Sequence, residues 1–199
     1  MVTVVYYGAG NIRSVTKAIE AAGTRVRVSE NPEDIKKADR VILPGVGAFG
    51  KAVEALRERH LIDPLRSFIS ERKPFLGICL GLHLLFFGSE ENPEAEGLCL
   101  LEGKAERFPG GIKVPHLGWN QVNRVRDLPL WKSIPDQTYF YFAHSYIVKP
   151  ENDNLIAGTT DYANNFVSAI ATENCYGVQF HPEKSQKWGL KLLNNFIAL

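Results

Sequence analysis

The chain has 199 residues, 45% of them hydrophobic and 23% charged, enough to bury a core without help from metals or disulfides. A formal net charge of +1 gives no electrostatic basis for binding nucleic acid, an anionic membrane or a polyanion. Three cysteines, Cys79, Cys99 and Cys175, are odd in number and lack CxxC spacing, which argues against a disulfide framework or a zinc ribbon and fits a reducing cytoplasm.

The N-terminal MVTVVYYGAG has no basic region ahead of its apolar run, and no stretch nears the roughly eighteen apolar residues of a membrane span, so a soluble, untargeted, cytoplasmic protein is expected. Val2 to Tyr7 is a β-branched and aromatic run. Gly8-Ala9-Gly10-Asn11 is a turn, and Ile12, Val15, Ala18, Ile19 and Ala22 follow at helical spacing with Gly23 as the stop. Arg25 to Ser29 reads as a second strand, Asn31-Pro32 opens a short helix, and Arg40 to Leu43 is a third strand. Pro44-Gly45-Val46-Gly47 breaks the chain before helices over residues 48–59 and 61–70. A fourth strand at Phe75 runs straight into a buried helix carrying Leu80, Leu82, Leu84, Leu85 and Phe86. Strands alternating with helices predict a parallel sheet with right-handed crossovers, and ligands of such sheets bind at the carboxyl ends of the strands.

Beyond Phe87 the texture changes. Residues 88–97 are polar and acidic, and short strand-like runs follow at 98–101, 121–125, 138–142, 145–148, 154–160, 166–171 and 176–180. The chain closes on a helix from about Ser185 with Trp188, Leu192, Leu193, Phe196 and Ile197 on one face. No linker, repeat or low-complexity segment divides it, so residues 1–199 read as one α/β domain. Its central sheet is open and mostly parallel with flanking helices, and carries an antiparallel C-terminal extension.

The stretch Gly77-Ile78-Cys79-Leu80-Gly81 joins the fourth strand to its helix. Glycines on both sides remove the Cβ atoms that would clash where strand and helix approach, so Cys79 can take a strained conformation at the apex. This is the nucleophile-elbow pattern with sulfur in place of oxygen, and the start of a helix favours a thiolate there. The competing reading is a small buried hydrophobe.

A cysteine nucleophile needs a base and a group to orient it. Among five histidines His181 has the best setting: it follows the run 176–180, and Glu183, two residues on, projects to the same side if the extended geometry continues. For the attacked carbonyl, the Leu80 N–H is one oxyanion donor. The Gly45-Val46-Gly47 turn supplies another, through a peptide whose rotation would switch the site between idle and active.

The same glycines have a rival use. GVGAFG at 45–50 satisfies G-x-G-x-x-G, GAGNIR at 8–13 nearly does, and Glu30 ends the second strand where a ribose-binding acid belongs, the pattern of a dinucleotide-binding oxidoreductase. Arg13 replaces the third glycine, however, and that reading leaves Cys79 and the HPE segment without a role.

With GICLG at 77–81 and QFHPEKS at 179–185 the chain resembles the class I (triad) glutamine amidotransferases. Through GAGNIRS at 8–14, PGVGAFG at 44–50, PHLGWN at 115–120 and YFAHSY at 141–146 it is similar, within them, to glutaminase subunits that serve a (β/α)8-barrel cyclase in histidine biosynthesis. The resemblance implies that Cys79 attacks the side-chain amide of L-glutamine to give a thioester and ammonia, with His181 moving protons, Glu183 orienting it, and no cofactor or metal. Glutamine contacts would fall on Gly47, Glu91, Ser145 and Tyr146, and the cyclase interface on Asn11, Trp119, Tyr141 and Lys184. Cyclase ligand would activate the site through the Gly45-Val46 turn, and the chain alone would be nearly inactive.

One position departs from the family. His83, four residues past Cys79 on the same helix face, stands where a substrate-holding Gln is usual. It could replace those hydrogen bonds, perturb the thiolate, compete as base, or be a satisfied pocket histidine. Residue type alone also allows Trp119 to be core, residues 139–142 to be a strand packed on both faces, and Lys184 to be merely solvated. A catalytically silent relative acting as a binding module would share the fold.

Overall fold

The computed structural model describes residues 1–162 and 164–199. Strands β1 (Val2–Val5), β2 (Val26–Ser29), β3 (Arg40–Gly45) and β4 (Phe75–Cys79) alternate with helices α1 (Ile12–Ala21), α2 (Pro32–Lys36), α3 (Phe49–Glu58) and α4 (Ile62–Ser70). A one-turn helix α5 (Leu80–His83) leads into β5 (Phe86–Ser89), β6 (Leu101–Arg107), β7 (His116–Arg124), β8 (Thr138–His144), β9 (Tyr146–Pro150), β10 (Ile156–Tyr162), β11 (Asn164–Ala171) and β12 (Cys175–Val178). Helix α6 (Gln186–Ile197) ends the chain.

The five neighbours β2-β1-β3-β4-β12 are all parallel. From β12 the sheet continues antiparallel through β11, β10, β7 and β8, while β5, β6 and β9 form a side ribbon attached through β9 to β11. The α/β class with a parallel centre is therefore as expected. The antiparallel extension, by contrast, is built from the middle of the chain, and β12 returns to the parallel core beside β4.

Burial on both faces explains why the central strands read as continuous apolar runs. Val2, Val4, Ile42, Leu76 and Ile78 face the layer made by α1 and α6, which contribute Val15, Ala18, Ile19, Leu192, Leu193 and Phe196. Val5, Val41, Leu43 and Phe75 face Ile35, Phe49, Val53, Leu56, Leu65 and Phe68 of α2, α3 and α4. Each fully buried side chain of this size stabilises the fold by about 1.5–3 kcal/mol.

Some local expectations are corrected. The predicted helix through Phe86 stops after one turn, because the Leu84 and Leu85 carbonyls accept from the N–H groups of Leu98, Leu100 and Leu101 instead of from a further helical turn. Phe86 turns instead into β5, whose partner β6 begins where the predicted strand 98–101 ends. β3 runs through Pro44 to Gly45, so Gly45 is a strand residue opposite Cys79 and not part of a turn. β7 starts at His116, five residues earlier than predicted. In β8 Phe140 and Phe142 are buried while Tyr139 is exposed and Tyr141 half-buried, so this strand packs on one face only. Trp119 is 46% exposed and not core.

Candidate active site

Cys79 closes β4 with φ +53° and ψ −109°, a conformation costing a non-glycine residue about 1–3 kcal/mol. The surrounding packing imposes it. A Cβ on Gly77 would stand 2.5 Å from the Gly81 carbonyl oxygen, and one on Gly81 would drive into the Leu43 carbonyl, so the bend closes only with glycine at both places.

Parallel pairing of β12 with β4, with Val178 opposite Ile78, carries the chain past Cys79. The His181 N–H donates to the Tyr141 carbonyl at 2.8 Å, the Ser185 hydroxyl donates to the His181 carbonyl at 2.6 Å, and the Tyr141 N–H donates to Ser185 Oγ at 3.0 Å. The main chain of His181 is thus held by β8. Residues 182–184 form a 3-10 turn rather than continued strand, and this turn brings Glu183 Oε1 to 2.9 Å from His181 Nδ1. Both side chains are buried.

The His181 ring also stands beside the Cys79 sulfur. Burial works against a charged ring, but the hydrogen bonds to Cys79 and Glu183, with the charges of both, prevail and hold its pKa up at about 10 against an ordinary 6.5. The second carboxylate oxygen, Glu183 Oε2, is buried without a partner.

A cavity of about 230 Å³ opens at the sulfur. Its walls bring together Cys79, Leu80, Val46, Gly47, His83, Glu91, Ser145 and Tyr146, with Pro115, Ala143 and His144 besides. Gly45 lies behind this wall, packed so closely on Leu80 that a Cβ would come within 2.8 Å of the Leu80 Cβ. Glu91 Oε2 accepts from the Phe49 N–H at 2.7 Å, a carboxylate placed at the positive end of α3. A larger depression of about 740 Å³ between β5, β6 and β9 contains none of the predicted site residues.

Of the predicted interface positions, three cluster with one another. Trp119 and Tyr141 pair across β7 and β8 with ring centroids 6.1 Å apart, and Lys184 Nζ lies 5.6 Å from the Tyr141 ring centroid. Asn11 lies at the start of α1, a helix that packs against the turn holding Lys184.

His83 is buried, and its Nε2 lies 2.8 Å from Gln179 Oε1. Desolvation, only partly offset by that hydrogen bond, drives its pKa down to about 4, so the ring is neutral near pH 7. Gln179 in turn reaches the sulfur, with Nε2 3.7 Å from Cys79 Sγ. Sequence reasoning passed over Gln179 although it stands two residues before His181, the spacing that places two residues on one face of an extended chain. His144 was passed over too. Its Nδ1–H donates to the Tyr146 carbonyl at 2.9 Å, leaving Nε2 to accept from His116 Nδ1 at 3.0 Å. Glu30, the acid of the nucleotide-binding alternative, is paired with Arg59 at 3.2 Å.

Among the described residues no cluster of His, Cys, Asp or Glu is arranged to hold a metal ion, and no helix is long and apolar enough to cross a membrane. A strained cysteine at a strand-to-helix bend, backed by an acid-held histidine and open to a small cavity, is the geometry that cysteine-dependent acyl transfer requires, here on an α/β sheet. Residues 3–199 match the family described as glutamine amidotransferase class-I, and the chain belongs to that family. Over nearly its whole length it is similar to the imidazole glycerol phosphate synthase subunit HisH of Desulfitobacterium hafniense, 47% identical over 196 residues covering 98% of this chain and 93% of the relative. The HisH subunit of Aquifex aeolicus is 48% identical over 194 residues, covering 97% and 94%. Among solved structures, PurLQS from Thermotoga maritima superposes with a TM-score of 0.80 at 18% identity over 99% of this chain and 97% of that one, a likeness of fold.

Proposed function

We propose that this chain is the glutaminase subunit of an imidazole glycerol phosphate synthase, and that Cys79, His181 and Glu183 carry the reaction. The observation that carries this reading is the elbow cysteine, lining the cavity and beside an imidazole held by a buried carboxylate. Sulfur attacks the carboxamide carbon of glutamine. The tetrahedral oxyanion takes hydrogen bonds from the N–H groups at Leu80 and the Gly45-Val46 peptide. Its collapse breaks the C–N bond while the imidazolium delivers a proton to the departing nitrogen, leaving ammonia and a thioester. Water then attacks the thioester with His181 accepting its proton, the C–S bond breaks, and glutamate leaves with the thiolate and imidazolium restored.

In the same reading Gly47, His83, Glu91, Ser145 and Tyr146 hold glutamine, with the Glu91 carboxylate facing the α-ammonium group. Asn11, Trp119, Tyr141 and Lys184 meet a (β/α)8-barrel cyclase that receives the ammonia out of contact with bulk water. Exposed aromatics beside a cation are the side-chain types that anchor such interfaces.

Co-expression with a barrel cyclase tests this. The chain is expected to co-purify with it, to hydrolyse glutamine in the complex and hardly at all alone, and to lose the activity on Cys79→Ser. A complex whose cyclase turns over on free ammonium but which releases no glutamate from glutamine would overturn the assignment.

A further inference from the structure

The Cys79 sulfur has a neighbour that the triad leaves out. Gln179 is completely buried just past β12, with its side-chain nitrogen against Cys79 Sγ and its oxygen against the His83 ring. An amide oxygen only accepts, so His83 carries its proton on Nε2, which a neutral imidazole can do. With the amide turned over, its oxygen would face the sulfur and repel the thiolate. With the sulfur as thiolate, one orientation satisfies every partner: ring N–H to amide oxygen, amide N–H to sulfur. The backbone fixes the arrangement from below, since the Gln179 N–H donates to the Ser168 carbonyl at 2.9 Å.

Resting on the reading of Cys79 as the glutaminase nucleophile, we propose that Gln179 is a further catalytic residue, donating an N–H to the negatively charged sulfur, and that His83 is a positioning residue locking the amide in that orientation. The sulfur carries charge before it attacks and again when it leaves the thioester, so the donor acts at both ends of the cycle. The other titratable groups around the sulfur are His181 with Glu183 behind it, His144, Tyr146 and Glu91 on the cavity, and Tyr7 beside Gly45, and the variants below leave all of them in place.

Iodoacetamide alkylation of Cys79, followed by mass spectrometry across pH on the full chain, reads the sulfur without requiring glutamine turnover. In Gln179→Leu, alkylation at pH 7 is expected to slow about tenfold with the profile moved to higher pH, and kcat/KM for glutamine in the cyclase complex to fall by a similar factor. His83→Ala should give most of that loss, and His83→Gln, whose amide can donate to the same oxygen, should recover it. In the alkylation assay, where glutamine is absent, combining His83→Ala with Gln179→Leu should add nothing, because His83 acts on the sulfur through Gln179. Unchanged alkylation in Gln179→Leu, or alkylation losses that multiply in the double variant, would overturn the proposal. If Gln179→Leu does not fold, Gln179→Met fills similar volume without a donor and is read the same way. Wild-type hydrolysis of glutamine is measured alongside: its absence sinks the glutaminase assignment, whereas normal hydrolysis with unchanged alkylation in the Gln179 variant sinks only this inference.

Discussion

At the scale of single residues, environment sets the chemistry of two buried histidines near Cys79 in opposite directions. His181 and His83 are both buried, yet the first gains a carboxylate and a sulfur and is held protonated, while the second gains only an amide and is held neutral. A neutral ring committed to Gln179 is a poor rival for the role of base. His181→Ala is therefore expected to lower kcat for glutamine about 10²- to 10⁴-fold in the cyclase complex, and His83→Gln far less. Glutamate release by the two variants checks this, and the reverse ranking would move the base to His83.

At the scale of elements, the strand-bend-helix unit from β4 to α5 is closed by backbone contacts that admit no Cβ. Gly81→Ala would push into the Leu43 carbonyl of β3, where no side chain can swing away, so a loss of about 3 kcal/mol or more in unfolding free energy is expected. Gly47→Ala meets no atom within 4 Å and suffers only its φ of +102°, for a loss of about 1–2 kcal/mol. Urea midpoints of the two variants test the ranking; a Gly47 variant less stable than the Gly81 variant would show that packing does not decide. β8 links two tasks in a similar way. Its carbonyl at Tyr141 holds the His181 main chain while the Tyr141 ring stands on the outer face between Trp119 and Lys184.

At the scale of the whole molecule, the histidines on and behind the cavity tie its integrity to pH. Burial pushes His83 and His116 down to about 4 and His144 to about 3. In the unfolded chain all three protonate near 6.5. As pH falls below 6.5 the unfolded state gains protons that the folded state refuses, so stability is full above 6.5 and declines as pH drops towards the folded values. His181 has the opposite sign: its contribution is complete below 6.5 and is lost as pH rises through about 10. Thermal melts from pH 8 to 5 should show a falling midpoint, with a shallower fall in His144→Gln. A midpoint flat across that range would contradict the burial of three neutral rings.

The sequence by itself determined what depends on neighbours along the chain. The alternation of strands and helices through residue 79, the glycine-flanked bend at Cys79, and the adjacency of His181 to Glu183 all rest on local sterics and periodicity. Even there the reason was partly different, since a turn and not continued strand joins His181 to Glu183. Only the tertiary structure decided that β12 lies beside β4 in a register that brings His181 and Gln179 to the sulfur, that Leu98 to Leu101 stop α5 after one turn, and that Trp119 faces outward. Each of these depends on pairing between segments far apart in the chain, where strand register and burial are set by partners that no local pattern names.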